Sequence, residues 1–133
     1  MLTPQEIAKT NSESAHQKAL FAQVALKMLE NPAKYACLRW MHAIPNGGDR
    51  NMLAAAKQKM EGQKAGVWDI FIPVPIAHYH GMYLELKAPG KIKNLSDKQV
   101  EFGAHAQEYD YYTVVADSWE MGWEVIDNYL SLV

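Results

Sequence analysis

The sequence predicts an α/β domain in which helices flank a mixed central β-sheet. Helical and strand patterns alternate along the chain in the order helix, strand, helix, strand, strand, helix, strand, helix. The two consecutive strands lie within residues 66–76 and 82–87, which are rich in β-branched and aromatic residues and bounded by Gly and Pro. The 133 residues are 49% hydrophobic, which suits one globular domain over residues 1–133.

A short helix and three longer elements are predicted before the central strands. Thr3–Glu6 carries the capping box and the early Pro of the short helix. Small and apolar side chains at helical spacing predict a helix over residues 13–30, which an Asn-Pro pair ends. Residues 35–44 alternate like a strand, and residues 51–61 fit a helix. These patterns place Leu38, Trp40, His42 and Ile44 on one strand side, and turn Met52, Ala55, Ala56 and Met60 inward.

Three elements are predicted after the central strands. A basic loop leads to a capping box at Ser96 and Gln99, which begins a helix that runs to about Tyr109. Residues 111–116 form a β-rich strand, and Ser118 caps a last helix. The buried stripe of that helix is predicted to be Trp119, Trp123, Ile126, Leu130 and Val133.

Three charged side chains on the central strands are candidates for a functional site. Glu85 and Lys87 share a strand face with Tyr83, and Asp69 converges on that face if the two strands pair. Unpaired charges at a half-buried surface are costly, and a divalent cation held by Asp69 and Glu85 would stabilise them. The alternative is a solvated surface on which an acid and a base pair without further function.

Charge is distributed unevenly along the chain. The net charge is −2, but residues 1–100 hold all 13 Lys and Arg against eight acids, whereas residues 101–133 hold seven acids and no Lys or Arg. The two parts therefore carry +5 and −7, so a basic face can exist on an acidic protein. Cys37 is alone, which excludes a disulfide framework and suits a reducing compartment. We expect a cytoplasmic protein without a membrane span, because no signal peptide or long apolar run is present.

The order of these motifs resembles the PD-(D/E)xK nuclease fold, in which an Asp opens one strand, Glu-x-Lys lies on the next, and a helix follows. The resemblance implies a restriction-endonuclease-like core. Within that fold the chain resembles the VRR-NUC branch over about residues 13–126. One departure is Trp68, which stands where the family usually has Pro; we expect it to shape the strand and to bind no metal. The matching segments are Ile44–Arg50, Lys64–Ile70, Leu84–Lys87 and Leu95–Gln99.

This resemblance implies a catalytic metal site. Asp69 and Glu85 would bind Mg²⁺ or Mn²⁺, with the backbone carbonyl of Leu86 as a third ligand. Lys87 would hold the attacking water and offset developing negative charge. Gln99 would lie at the active site, although its part in the capping box also explains it without a catalytic role.

Five further residues have both a functional and a structural interpretation. Glu13 resembles the acid that the family contributes from its first helix to a second metal or to the metal's waters. It is equally explained as an exposed acid favoured by the helix dipole. Asn46, Arg50, Lys91 and Lys93 are candidates for contact with DNA phosphates, or are solvated surface groups.

The function that the resemblance implies is that of a metal-dependent DNA endonuclease. Stand-alone proteins of this size in the family are typically encoded by phages and prophages and resemble Holliday-junction resolvases. We therefore expect a preference for branched DNA, and a homodimer, because a four-way junction presents two symmetric strands for cutting. One alternative is a nucleic-acid-binding protein that keeps the fold without cleaving. Another is a small interaction protein whose Glu85 and Lys87 merely pair at the surface.

Overall fold

The computed structural model describes residues 1–45 and 51–133, and a mixed sheet forms its centre. The strands of the described part are β1 (His42–Ala43), β2 (Ile70–Ile72), β3 (Met82–Leu86) and β4 (Tyr112–Ala116). They are ordered β1-β2-β3-β4 across the sheet. The first two pairings are antiparallel and the third, between β3 and β4, is parallel. The predicted α/β class with a mixed sheet is therefore confirmed.

Helices flank this sheet on both faces. The described α-helices are α1 (Pro4–Ile7), α2 (Glu13–Glu30), α3 (Pro32–Tyr35), α4 (Met52–Met60), α5 (Asp97–Glu108) and α6 (Trp119–Leu130). Two 3₁₀ helices cover Ala8–Thr10 and Ala36–Trp40. None of the helices in the described residues combines the length and the hydrophobicity needed to cross a bilayer.

The hydrophobic core lies between one face of the sheet and the helices α2 and α6. Because side chains alternate along a strand, Met82, Leu84 and Leu86 of β3 all point into this core, and none is exposed. The residues that pack with them include Ile70, Ile72, Ala19, Leu20, Val24, Ile126 and Tyr129. The other side chains of β3 consequently lie on the opposite face, beside α5.

A buried histidine fastens α6 to α2. His16 is 4% exposed, and its Nδ1 accepts a hydrogen bond from the backbone N–H of Trp119 at 2.9 Å. The Nε2 atom lies 2.6 Å from the side-chain oxygen of Asn11, so it carries the proton and donates. An N–H at the start of α6, which has no partner within its own helix, is satisfied in this way.

Helix α5 is held against the second face of the sheet by Trp68. The indole N–H of Trp68 donates to the backbone oxygen of Gln99 at 2.8 Å. Gly103 lies under the same indole ring, and a Cβ at this position would be 2.6 Å from Cζ2 of Trp68. The first turns of α5 are thus fixed next to the residue that precedes Asp69.

The prediction of a strand over residues 35–44 is wrong for most of that range. Those residues form the end of α3 and a 3₁₀ helix, and only His42–Ala43 pairs with the sheet. The buried side chains are Tyr35, Leu38 and Met41, whose spacing of three matches a 3₁₀ helix and not a strand. Trp40, which the strand pattern grouped with Leu38, is 70% exposed.

Helix α4 forms where it was predicted, but the prediction that its apolar side is buried was wrong. Met52 and Met60 are 88% and 90% exposed, and no residue of the helix is buried. Periodicity shows that a helix has an apolar face, whereas burial of that face depends on what packs against it. The strand predicted within residues 66–76 is also shorter, because Pro73 and Pro75 lack the N–H groups that a sheet requires.

Candidate active site

The pairing of β2 with β3 brings two carboxylates to one face of the sheet. Ile70 is opposite Leu84, so Asp69, one residue before β2, lies beside Glu85. The backbone N–H of Asp69 donates to Oε1 of Glu85 at 3.1 Å. The backbone N–H of Leu86 donates in turn to Oδ2 of Asp69 at 3.4 Å. Each acid is therefore held by the strand that carries the other.

Lys87 and Gln99 complete the contacts around Glu85. The Nζ atom of Lys87 lies 3.3 Å from Oε2 of Glu85 and donates to Oε1 of Gln99 at 3.1 Å. The Nε2 atom of Gln99 donates to the same Oε2 of Glu85 at 2.7 Å. The backbone N–H of Lys87 donates to the oxygen of Ala116 at 2.8 Å, which continues the β3–β4 pairing by one residue.

Gln99 makes the contacts that both of its interpretations require. Its Oε1 accepts from the backbone N–H of Ser96 at 2.9 Å, and its own N–H donates to the Ser96 hydroxyl at 3.1 Å, which forms the capping box. Because Oε1 faces two donors, the amide N–H₂ is directed to the Glu85 carboxylate. The helix cap thus orients the side chain that joins Glu85 to Lys87.

The site carries more negative charge than its cation balances. Glu85 is 1% exposed, and burial, followed by repulsion from Asp69, raises its pKa to about 7, although Lys87 opposes the shift. Burial also raises the pKa of Asp69, against the hydrogen bond from Leu86 and the attraction of Lys87. A buried and a half-buried carboxylate beside one ammonium form a site that favours an additional cation.

Glu13 adds a third acid near this pair. It lies in the first turn of α2, and its pKa is raised by burial and by repulsion from Asp69, while Lys87 lowers it. These charges act on Glu13 because α2 begins close to the site. The carboxylate also borders an open cleft of about 490 Å³, which is lined by Glu13, Ser14, Gln17, Lys18, Phe21 and Ala43.

The donor set fits a magnesium-type ion. Among residues 1–45 and 51–133, no three His, Cys, Asp or Glu side chains are grouped so that they could hold a metal by themselves. Mg²⁺ needs no such group, because it commonly takes one or two carboxylates and keeps waters and substrate phosphate oxygens as its other ligands. The pair Asp69 and Glu85 supplies those two carboxylates, and the carbonyl of Leu86 stays a predicted third ligand.

The predicted DNA contacts are not part of this cluster. Lys91 and Lys93 are exposed in the loop after β3, and neither forms an ion pair in the described part of the chain. That loop is attached to the fold where the N–H of Gly90 donates to Asp117 at 3.1 Å. Asn46 and Arg50 lie outside the described residues.

Sequence reasoning missed the part that Trp68 has in the site. Its N–H holds the backbone of Gln99, which supports the amide between Glu85 and Lys87. The available signal was Gly103, since a Gly within a helix indicates close packing of another group. Trp68 thus aligns α5 with the carboxylates, and it makes no contact of its own with them.

Comparison with known proteins places this geometry in a family. A solved structure of a VRR_NUC domain protein matches with a TM-score of 0.59 and 30% sequence identity, covering 71% of this chain and 70% of that chain. The chain belongs to the VRR-NUC family. Its fold is therefore that of a nuclease-type domain, and the resemblance seen in the motifs is confirmed. No family model and no curated protein matches this VRR-NUC domain.

Proposed function

We propose that this VRR-NUC domain is a metal-dependent DNA endonuclease that hydrolyses phosphodiester bonds. The observation that carries the proposal is the contact set on one face of the sheet, where hydrogen bonds and an ion pair link Asp69, Glu85, Lys87 and Gln99 through Glu85. A surface ion pair alone would not need a buried Glu85 or a second carboxylate beside it. Hydrolysis of a phosphodiester, in contrast, needs both a cation site and a positioned ammonium.

In this proposal Asp69 and Glu85 hold Mg²⁺ or Mn²⁺ with the Leu86 carbonyl, and Glu13 acts on the metal's waters or on a second ion. When bound, the ion polarises the scissile phosphate and lowers the pKa of a water. The excess negative charge of the site supplies the attraction for that ion. Glu13, whose pKa responds to the charge of Asp69, lines an open cleft, and in this proposal the substrate approaches the half-buried Asp69 from that side.

Lys87 has the position of a residue that orients water and stabilises the transition state. Its side chain is 12% exposed, and its ammonium is fixed by Glu85 and by the Gln99 oxygen. A preorganised cation of this kind stabilises charge that develops on phosphate oxygens without having to reorganise. Gln99 is a positioning residue in this scheme, because its amide holds both Lys87 and Glu85.

The proposal extends to the DNA substrate and to assembly. Lys91 and Lys93 would contact phosphates next to the site, as would Asn46 and Arg50. Branched DNA, such as four-way junctions, is the proposed preferred substrate. A homodimer would place two such sites on the two symmetric strands of a junction.

One observation favours a second candidate function, that of a DNA-binding protein that does not cleave. Glu85 is almost fully buried, and both of its oxygens already accept hydrogen bonds, one from Asp69 and the other from Gln99 and Lys87. In that case these contacts would only stabilise the sheet. The two functions differ in whether a divalent ion binds at Glu85, which can be measured.

The test is a cleavage and binding assay on synthetic junction, flap and linear duplex DNA with Mg²⁺, Mn²⁺ or EDTA. The endonuclease proposal expects cleavage that requires the metal and is lost in Glu85→Gln. A matched control is Glu30→Gln, because Glu30 pairs only with Lys27 at the surface. Binding without cleavage would support the second function, and neither activity would contradict both.

A further inference from the structure

A cleft lined by aromatic rings lies on the same face of the sheet as the carboxylates. It has a volume of about 480 Å³ and is open to solvent at one side. Its ring-bearing residues are His80, Tyr83, Phe102, His105, Tyr109 and Tyr111. We call this feature the aromatic cleft. None of these rings contacts a catalytic candidate through a hydrogen bond.

The aromatic cleft continues the candidate active site along two elements. Tyr83 precedes Glu85 by two residues on β3, so the two side chains are neighbours on one face, roughly 7 Å apart along the strand. Phe102 follows Gln99 by three residues on α5 and so projects from the same side of that helix. A polymer that places a phosphate at Glu85 would therefore place an adjoining nucleotide at Tyr83.

The floor of the aromatic cleft is a rigid set of rings. The Tyr83 ring packs on Phe71 with centroids 4.7 Å apart and meets Phe102 edge-on at 4.9 Å. Tyr111 lies 5.4 Å from Tyr83 on the other side. At the rim, Tyr109 is 58% exposed and lies 4.7 Å from His105. A planar ligand could thus stack on Tyr109 without displacing the floor.

The polar groups of the aromatic cleft are free to bind a ligand. In residues 1–45 and 51–133, the hydroxyls of Tyr83, Tyr109 and Tyr111 form no hydrogen bond with the protein, and neither do the rings of His80 and His105. Among the described residues that line the cleft, none carries a carboxylate. Flat apolar surfaces edged by donors and acceptors match a nucleobase, which has π faces and a polar edge.

The chain segment that supplies most of these rings offers no permanent cation that could bind a phosphate. Residues 101–133, which supply four of the six rings, contain seven acids and no Lys or Arg. Phosphate binding relies on Lys and Arg, whereas stacking of a base on an aromatic ring does not. We therefore propose that the aromatic cleft binds an unpaired base of single-stranded DNA, a few nucleotides along the strand from the phosphodiester at Asp69 and Glu85. The inference rests on the proposed function in naming DNA as the polymer.

The test measures binding without cleavage, in EDTA. The probe is a single-stranded DNA of about 12 nucleotides, within the usual range of site sizes, that carries 2-aminopurine as a stacking reporter. Tyr109→Ala should weaken binding by about tenfold, as loss of one base-stacking ring does, and should relieve the quenching of 2-aminopurine. Tyr109→Phe should bind like the wild type, because the ring remains. Tyr109 is exposed, so thermal unfolding should show that both variants are folded.

Two controls separate stacking from other effects. An abasic strand of equal length should bind the wild type and Tyr109→Ala equally, since it keeps the phosphates and lacks the bases. Leu29→Ala removes another exposed apolar side chain, 78% exposed on α2, and should leave binding unchanged. Equal affinity of Tyr109→Ala and wild type for the 2-aminopurine strand would overturn the inference.

A change in assembly would overturn it as well. If Tyr109→Ala alters the sedimentation of the protein without DNA, the aromatic cleft is an interface between two copies of the chain. The base-binding proposal and the endonuclease proposal fail separately. Metal-dependent cleavage by a protein whose binding of the 2-aminopurine strand is unchanged by Tyr109→Ala would contradict only the base-binding proposal. Base-dependent binding without any cleavage would contradict only the endonuclease proposal.

Discussion

Replacing Glu85 with Gln should make the stability of the metal-free protein less dependent on pH. Glu85 is 1% exposed, and burial with repulsion from Asp69 raises its pKa from 4.5 to about 7. A carboxyl whose pKa is higher in the folded state binds its proton more tightly there, so protonation favours folding. This contribution is complete below pH 4.5 and is lost as the pH rises through about 7.

The size of the effect follows from that shift in pKa. One pKa unit corresponds to about 1.36 kcal/mol, so the interval from 4.5 to about 7 corresponds to about 3 kcal/mol. The Gln side chain has nearly the same shape and does not titrate. The difference in free energy of unfolding between Glu85→Gln and wild type should therefore change by up to about 3 kcal/mol between pH 4.5 and 8, in favour of the variant at high pH.

The assay is urea-induced unfolding in EDTA at several pH values, with wild type and variant compared at each. Glu30→Gln is the control, because its carboxylate is exposed in a surface pair with Lys27, and its difference from wild type should stay nearly constant. A difference between Glu85→Gln and wild type that does not change from pH 4.5 to 8 would refute the reasoning. Glu85 would then be solvated or already neutral.

Three further predictions concern the metal, the lysine and the packing of α5. Mg²⁺ at about 100 times its Kd should stabilise the wild type by about 3 kcal/mol at pH 8 and by less at pH 5, where protons compete for Glu85. It should not stabilise the Glu85→Gln variant, and calorimetric unfolding with and without EDTA measures both effects. Lys87→Ala should lower turnover on junction DNA by on the order of 100-fold with little change in DNA affinity, whereas the control Lys27→Ala, in its surface pair with Glu30, should change neither. A large loss of affinity with normal turnover would assign Lys87 to phosphate binding. Gly103→Ala should destabilise the protein by about 1–3 kcal/mol in urea unfolding, because its Cβ would lie 2.6 Å from the Trp68 ring. The control Ala104→Ser, on the exposed side of α5, should have a small effect, and equal stability of the two variants would contradict the close packing.

Local patterns predicted the elements that depend on neighbouring residues. The capping box of Ser96 and Gln99 and the bounds of α2 follow from contacts within one helical turn, and they form as predicted. The placement of Asp69 and Glu85 on one face followed from strand alternation and from the pairing of two consecutive strands. The family resemblance supplied the roles, which remain predictions until activity is measured.

The predictions from sequence were wrong where the burial of a side chain depended on residues distant in the chain. Residues 36–40 wind into a 3₁₀ helix, since Tyr35 before them packs on Trp123 and hydrogen-bonds Asp127, contacts that local alternation does not contain. The apolar side of α4 has the correct period, yet it stays exposed. The aromatic cleft joins rings from β3, from α5 and from the residues just before β3 and β4, so no single segment could reveal it.

The sequence by itself determined where α2 and α5 begin, and which strand face carries Glu85 and Lys87, because capping and side-chain alternation act over a few residues. Only the tertiary structure decided that Gln99 reaches Glu85 across 14 residues and that Glu85 is buried with a pKa of about 7. The physical reason is that desolvation and charge interactions depend on every group packed around an atom, whatever its position in the chain.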